Sequence, residues 1–223
     1  MVGGNGPRAR AILLHGLNRT ARSLRRLMAG LGEAGFDAEA WSYPSRRHRI
    51  ADLVGRFRHD LAARRETGPI HLVGHSLGAI VIRGAVATPA PIKLGRIVMI
   101  AAPNQGVVLD DLVARTPGLS LAYGAAIRDL ARDAAFLRRL PIPDTEIGVI
   151  AGTRRFHPLN PASYLSAWLR RHVDHDGTVA VEQTKLAGMR DFLALPVNHT
   201  FICDEPRVIR ATIAFLRDGV FPR

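Results

Sequence analysis

The sequence predicts an α/β fold, a mostly parallel central sheet with helices on both of its faces. Short apolar runs of strand length alternate with longer amphipathic helical patterns, the order that crossover helices between parallel strands require. The run Ile70 to Val73 enters Gly74-His75-Ser76-Leu77-Gly78 and leaves it into an apolar helical stretch, Ala79 to Ala87, so strand, sharp turn and helix follow one another. The chain then closes on a helical pattern, Glu205 to Arg217, with Val208, Ile209, Thr212, Phe215 and Leu216 on one face.

In chain order, Ala11 to His15 reads as a buried strand. Ala21 to Ala34 reads as a helix, with Leu24, Leu27, Met28 and Leu31 on one side and Gly35 ending it. Asp37 to Ser42 is the next strand. Ile50 to Arg65 is a second amphipathic helix, through Leu53, Val54, Phe57 and Leu61. After the strand and helix around Ser76, Arg96 to Ile100 is a fourth strand. Residues 107–140 are rich in Leu and Ala with no strand pattern, and read as a small helical insertion. Glu146 to Ala151 is a strand, followed by an irregular excursion carrying Pro158, Pro161, Tyr164 and Trp168. Asp191 to Leu195 is the last strand. Neither repeats nor a dividing linker interrupt residues 1–223, which read as one domain.

The pentapeptide 74–78 carries the chemistry. Glycines two positions either side of Ser76 remove the collisions that a tight strand-to-helix turn would otherwise cause. The serine hydroxyl then stands above the sheet at the positive end of a helix. The N–H of Leu77 points where an oxyanion would form. A serine is inert at neutral pH until a base takes its proton and a third group orients that base. His199 lies four residues past Leu195 and is the only histidine beyond residue 175, which makes it the candidate base. The segment His172-Val-Asp-His-Asp-Gly-Thr-Val-Ala180 offers two acids. Asp176 is favoured because Gly177 lets the loop turn sharply beside it; Asp174 is the alternative. Asp191 opens a strand and reads as a solvated terminus. His172, His175 and Asp174 have no second ligand cluster at metal spacing, so no metal site is expected. In Leu13-Leu-His-Gly-Leu17, Gly16 allows close backbone approach, and Leu17 supplies a second oxyanion N–H. His15 reads as a structural hydrogen-bonding group beneath that loop.

His-Gly at 15–16, Gly-His-Ser-Leu-Gly at 74–78, Asp-Gly-Thr-Val at 176–179 and Asn-His-Thr at 198–200 together resemble a compact bacterial esterase or lipase of the α/β-hydrolase superfamily. Ala102-Pro-Asn-Gln-Gly106 is similar to a Pro-x-x-Gly turn of many lipases. The resemblance runs from Arg10 to Phe215. It implies the α/β-hydrolase fold, Ser76 as nucleophile, His199 as base, Asp176 as orienting acid, and Leu17 and Leu77 as oxyanion donors. It further implies hydrolysis of carboxylic esters through an acyl-enzyme, with no cofactor. An acyl-thioesterase or lysophospholipase using the same residues is the alternative enzyme. A basic surface-binding protein on a catalytically silent hydrolase scaffold is the non-enzymatic one.

Composition narrows the partners. The net charge is +12 over 223 residues, yet Lys93 and Lys185 are the only lysines, so 29 of 31 basic residues are arginines scattered over several helices. Only 6% of the chain is aromatic, and a basic stripe interleaved with aromatics is missing, so nucleic acid is not an expected partner. A small-molecule or lipid ester is the expected substrate, with an anionic membrane surface as a second partner that the charge suggests. Leu109, Leu112, Val113, Leu119, Leu121, Leu130 and Leu137 either line an acyl site or close the core. The lone Cys203 excludes an internal disulfide and reads as a small buried hydrophobe. No run approaches the roughly 18 apolar residues of a membrane span. The first ten residues lack the apolar core of a signal peptide. A cytoplasmic location is the expectation.

Overall fold

The computed structural model describes residues 8–86, 92–106, 126, 129–130, 137, 139–156 and 172–223. Six strands lie among them: β1 (Arg10–Leu14), β2 (Asp37–Trp41), β3 (Ile70–His75), β4 (Leu94–Ile100), β5 (Ile147–Gly152) and β6 (Asp191–Leu195). All pair in parallel, in the order β2-β1-β3-β4-β5-β6. The chain therefore leaves β1 towards one edge and returns past it to β3. The chain thus leaves β1 and β3 towards opposite sides of the sheet, the arrangement at whose strand ends open parallel sheets form ligand sites. Ser76 stands at the end of β3.

Helices α1 (Arg25–Glu33), α2 (Ile50–Ala62), α3 (Leu77–Ala85), α4 (Val181–Thr184) and α5 (Pro206–Asp218) connect or close the sheet. The period of two along each strand sends alternate side chains to opposite faces. Ile12, Leu14, Leu72, Ile97 and Met99 pack with Leu53 and Phe57 of α2 and Ile80 of α3. Ala11, Leu13, Val73, Val98 and Ile100 pack with Leu27 and Leu31 of α1 and Val208 and Phe215 of α5. Strands buried on both faces explain why β1, β3 and β5 read as continuous apolar runs rather than alternating ones.

The expected strands, and the expected helices outside 107–140, are all present with shifted ends. The helix expected from Ala21 opens as a 3-10 turn, Ala21–Leu24, before α1 begins at Arg25. Helix α2 stops at Ala62 instead of Arg65, and Arg64 turns back to pair with Glu39 and Glu66. Helix α3 starts at Leu77, directly after the serine, two residues earlier than its apolar pattern suggests.

Asp191 corrects the reading of a solvated terminus. It is buried, accepts the N–H of Phe221 (2.7 Å) and of Phe192 (2.8 Å), and meets Arg223 at 2.9 Å. The C-terminal strap folds over the start of β6 and uses this carboxylate as its anchor, which holds its pKa below the ordinary value against the opposing pull of burial. Cys203 is buried, and burial pushes its thiol up to about 12, so it carries no thiolate at neutral pH.

Of the expected helical insertion at 107–140, residues 126, 129–130, 137 and 139 are helical among those described. Leu130 and Leu137 belong to the core cluster beneath α2 and α3. Leu109, Leu112, Val113, Leu119 and Leu121 lie outside the described residues, as do Pro158, Pro161, Tyr164 and Trp168 of the excursion after β5. Among the described residues, no helix is long and apolar enough to cross a membrane.

Candidate active site

The turn at Ser76 is as tight as its glycines suggest. Ser76 has φ 52° and ψ −120°, a backbone conformation that a residue with a Cβ adopts only under strain. Its N–H is tied to the Ile100 carbonyl at 2.9 Å. A Cβ on Gly74 would lie 2.4 Å from Ala79 Cα, and one on Gly78 would lie 2.4 Å from the Leu14 carbonyl oxygen. Both contacts are with backbone, which cannot swing aside, so only glycine fits at either position.

His199 comes to the serine from the turn after β6. The Asn198 side-chain oxygen accepts the N–H groups of Thr200 (3.0 Å) and Phe201 (3.2 Å), which folds the chain back sharply around the histidine. His199 Nε2 lies 3.0 Å from Ser76 Oγ, and Nδ1 lies 2.7 Å from Asp176 Oδ2. Because a carboxylate only accepts, Nδ1 carries the proton and Nε2 offers its lone pair to the serine hydroxyl. The second carboxylate oxygen of Asp176 accepts the N–H groups of Thr178 (3.0 Å) and Val179 (2.8 Å). The Asp176 carbonyl also accepts the His199 N–H at 3.0 Å. Asp176 is fully buried, so its direction is fixed by these bonds.

Asp174, the alternative acid, points elsewhere. Its side chain is 74% exposed and meets Arg155 at 3.2 Å. His175 turns into its own loop, where Nδ1 accepts the Gly177 N–H at 3.0 Å. Among the described residues, no group of three or more His, Cys, Asp or Glu side chains is gathered as metal ligands.

The loop after β1 is built on a buried histidine. His15 stacks on Tyr43 with ring centroids 4.2 Å apart. Its Nδ1–H donates to the Gly16 carbonyl at 2.9 Å, its Nε2 accepts the Tyr43 N–H at 3.3 Å, and the Tyr43 hydroxyl donates to the His15 carbonyl. Burial lowers the His15 pKa and keeps the ring neutral. With the Gly16 carbonyl held by His15 and by the Arg19 N–H at 3.3 Å, the planar trans peptide turns the Leu17 N–H to the opposite side. This loop passes against Ser76: a Cβ on Gly16 would lie 3.3 Å from Ser76 Cβ. Leu77 opens α3, where a helix provides no acceptor for its N–H.

One residue of the site escaped the sequence reading. His75 is buried, and its Nε2–H donates to the His199 carbonyl at 3.1 Å. It occupies the variable position of the pentapeptide, so its type carries no signal; only its burial between two loops does.

The sequence matches the Alpha/beta hydrolase family over residues 11–221. No curated protein matches it. Among solved structures, the mature form of the Bacillus licheniformis lipase BlEst2 is similar with a TM-score of 0.74 at 18% identity, covering 93% of this chain and 89% of that one. Phospholipase PlaB from Legionella pneumophila is similar with a TM-score of 0.68 at 16% identity, over 95% of this chain and 59% of the other. The metagenomic carboxyl esterase MGS0156 is similar with a TM-score of 0.70 at 18% identity, over 86% of this chain and 64% of the other. At such identities these likenesses establish the fold.

Proposed function

The chain belongs to the alpha/beta hydrolase family, and on that premise we propose that it is a serine hydrolase cleaving carboxylic esters through Ser76, His199 and Asp176. The reading rests on the unbroken hydrogen-bond relay from Asp176 through His199 to Ser76, at 2.7 and 3.0 Å. His199 Nε2 takes the hydroxyl proton as Ser76 Oγ attacks the ester carbonyl carbon. The carbonyl electron pair moves onto oxygen, where the N–H groups of Leu17 and Leu77 receive it; one such donor is typically worth ~3 kcal/mol in the transition state. The imidazolium, steadied by Asp176, returns the proton to the leaving alcohol as the C–O bond breaks. Water, deprotonated by the same histidine, then attacks the acyl carbon, and the imidazolium returns that proton to Ser76 Oγ as the acyl C–O bond breaks and the acid leaves. No step calls for a metal or cofactor.

A lipid ester is the substrate favoured by the mouth of the site. Half-buried Arg19 donates to the Thr200 carbonyl at 3.2 Å, and its guanidinium lies 6.0 Å from the ring centroid of Phe201. Phe201 is 37% exposed. A cation and an exposed aromatic on the loop that carries His199 suit an acyl chain carried on an anionic headgroup, presented at a membrane surface. This favours lysophospholipase as the second reading.

The test is hydrolysis of p-nitrophenyl esters from acetate to palmitate, with lysophosphatidylglycerol and acyl-CoA as parallel substrates. Turnover by the wild type that falls to background in Ser76→Ala is the expected result. The preferred chain length and headgroup then separate esterase, lysophospholipase and thioesterase. If the wild type turns over nothing and a fluorophosphonate leaves Ser76 unlabelled, the scaffold is catalytically silent and the binding-protein reading takes over.

A further inference from the structure

We propose that His75 is a positioning residue, whose imidazole spans the loop after β1 and the loop after β6 and so holds His199 at working distance from Ser76. The inference rests on the ester-hydrolase reading above. The backbone of His199 is clamped on both sides: Asp176 accepts its N–H at 3.0 Å, and His75 Nε2–H donates to its carbonyl at 3.1 Å. The first clamp belongs to the acid loop and the second to the nucleophile's own strand. The His75–His199 bond therefore ties the base directly to the residue preceding Ser76.

The other edge of the His75 ring rests on the loop that carries Leu17. A Cβ on Gly16 would stand 3.0 Å from His75 Nδ1 and 3.2 Å from Cε1. A single buried ring thus sets the spacing between the nucleophile, the base and one oxyanion donor. An apolar ring of the same size would fill the space but leave the His199 carbonyl without this donor.

A cation here would be harmful, because the ring centroids of His75 and His199 are 5.0 Å apart and His199 becomes an imidazolium in the first step. The charged and titratable groups facing His75 are His199 and Arg19, with His15 behind them. Burial first, then the coulombic opposition of His199 and Arg19, holds His75 well below its ordinary value. It supplies a donor and no charge.

The experiment compares wild type, His75→Gln and His75→Phe on p-nitrophenyl butyrate, with melting temperatures measured for each. The glutamine amide nitrogen reaches the place of Nε2, whereas phenylalanine keeps volume alone. His75→Phe is expected to lose about 10- to 100-fold in kcat with little change in KM, as displaced catalytic groups do, and His75→Gln to recover most of that loss. Full kcat in His75→Phe, or equal losses in both variants at unchanged melting temperature, overturns the proposal. Should His75→Phe fail to fold, His75→Asn takes its place: its shorter amide misses the carbonyl, and activity equal to that of His75→Gln overturns the proposal. A wild type that hydrolyses no ester defeats the ester-hydrolase reading instead. In that case nitrogen-15 NMR of the imidazoles decides. A neutral Nε2–H tautomer of His75 with a slowly exchanging proton is expected at pH 7, and an Nδ1–H tautomer or an imidazolium there overturns the clamp.

Discussion

At Ser76 the backbone works against the side chain's own preference. Its φ of 52° and ψ of −120° belong to the first central position of a type II′ turn, where glycine is at ease and serine is not. Such conformations cost roughly 1–3 kcal/mol, and the added freedom of an unfolded glycine takes back less than 1 kcal/mol. Ser76→Gly should therefore be more stable than Ser76→Ala by about 1 kcal/mol, which thermal or urea unfolding of the two variants measures; equal stability would mean that the turn is relaxed. Ser76, His199 and Asp176 were legible in the sequence because a pentapeptide, a lone late histidine and an Asp-Gly pair each mark a local geometry. Asp191 and His75 were not. Asp191 looks like any carboxylate at a strand start until Phe221 and Arg223 cover it. His75 acquires its partner from a segment more than a hundred residues away.

Helix α2 shows how one element is fastened to another. At its start, Asp129 accepts the N–H of Ile50 at 2.9 Å and receives Arg49 Nε and Nη2 at 3.0 and 2.6 Å. The ion pair looks the stronger contact, but the Arg49 side chain is 73% exposed, and water screens such pairs to little net value. The bond to Ile50 satisfies a buried helix-terminal donor, a role worth about 1–2 kcal/mol. Asp129→Ala is accordingly expected to lower unfolding stability by that amount, while Arg49→Ala changes it little; chemical denaturation of both variants ranks the two effects. Apolar periodicity made α1, α2 and α5 legible to within a few residues. The start of α3 was missed because its first turn, Leu77 and Gly78, is part of the serine turn and not of the apolar pattern. Strand order was beyond the sequence, since the return of the chain past β1 depends on which faces α1 and α2 cover.

For the molecule as a whole, acid is the expected weakness. His15, His71 and His75 are all held below their ordinary value, in each case chiefly by burial. In the unfolded chain they titrate near pH ~6.5. Below that point the unfolded state binds protons that the native state refuses, so stability is complete above it and is lost as pH falls through the depressed native values. Carboxylates held low by partners, Glu66, Glu146, Asp191 and Glu205, extend the loss to more acid conditions. The melting temperature should fall steadily from pH 7 to pH 5, and a flat profile over that interval would contradict the buried neutral histidines. The strained serine carries a different consequence, for descent with modification. At Gly74 and Gly78 nearly any change collides with backbone and is removed as a misfolded product. At Ser76 a change to glycine, one base away for some serine codons, leaves a sounder protein that has lost only the hydroxyl proposed as its nucleophile. Drift therefore runs towards a well-folded, silent descendant, and a lineage that still carries the serine is one in which something has kept selecting for it.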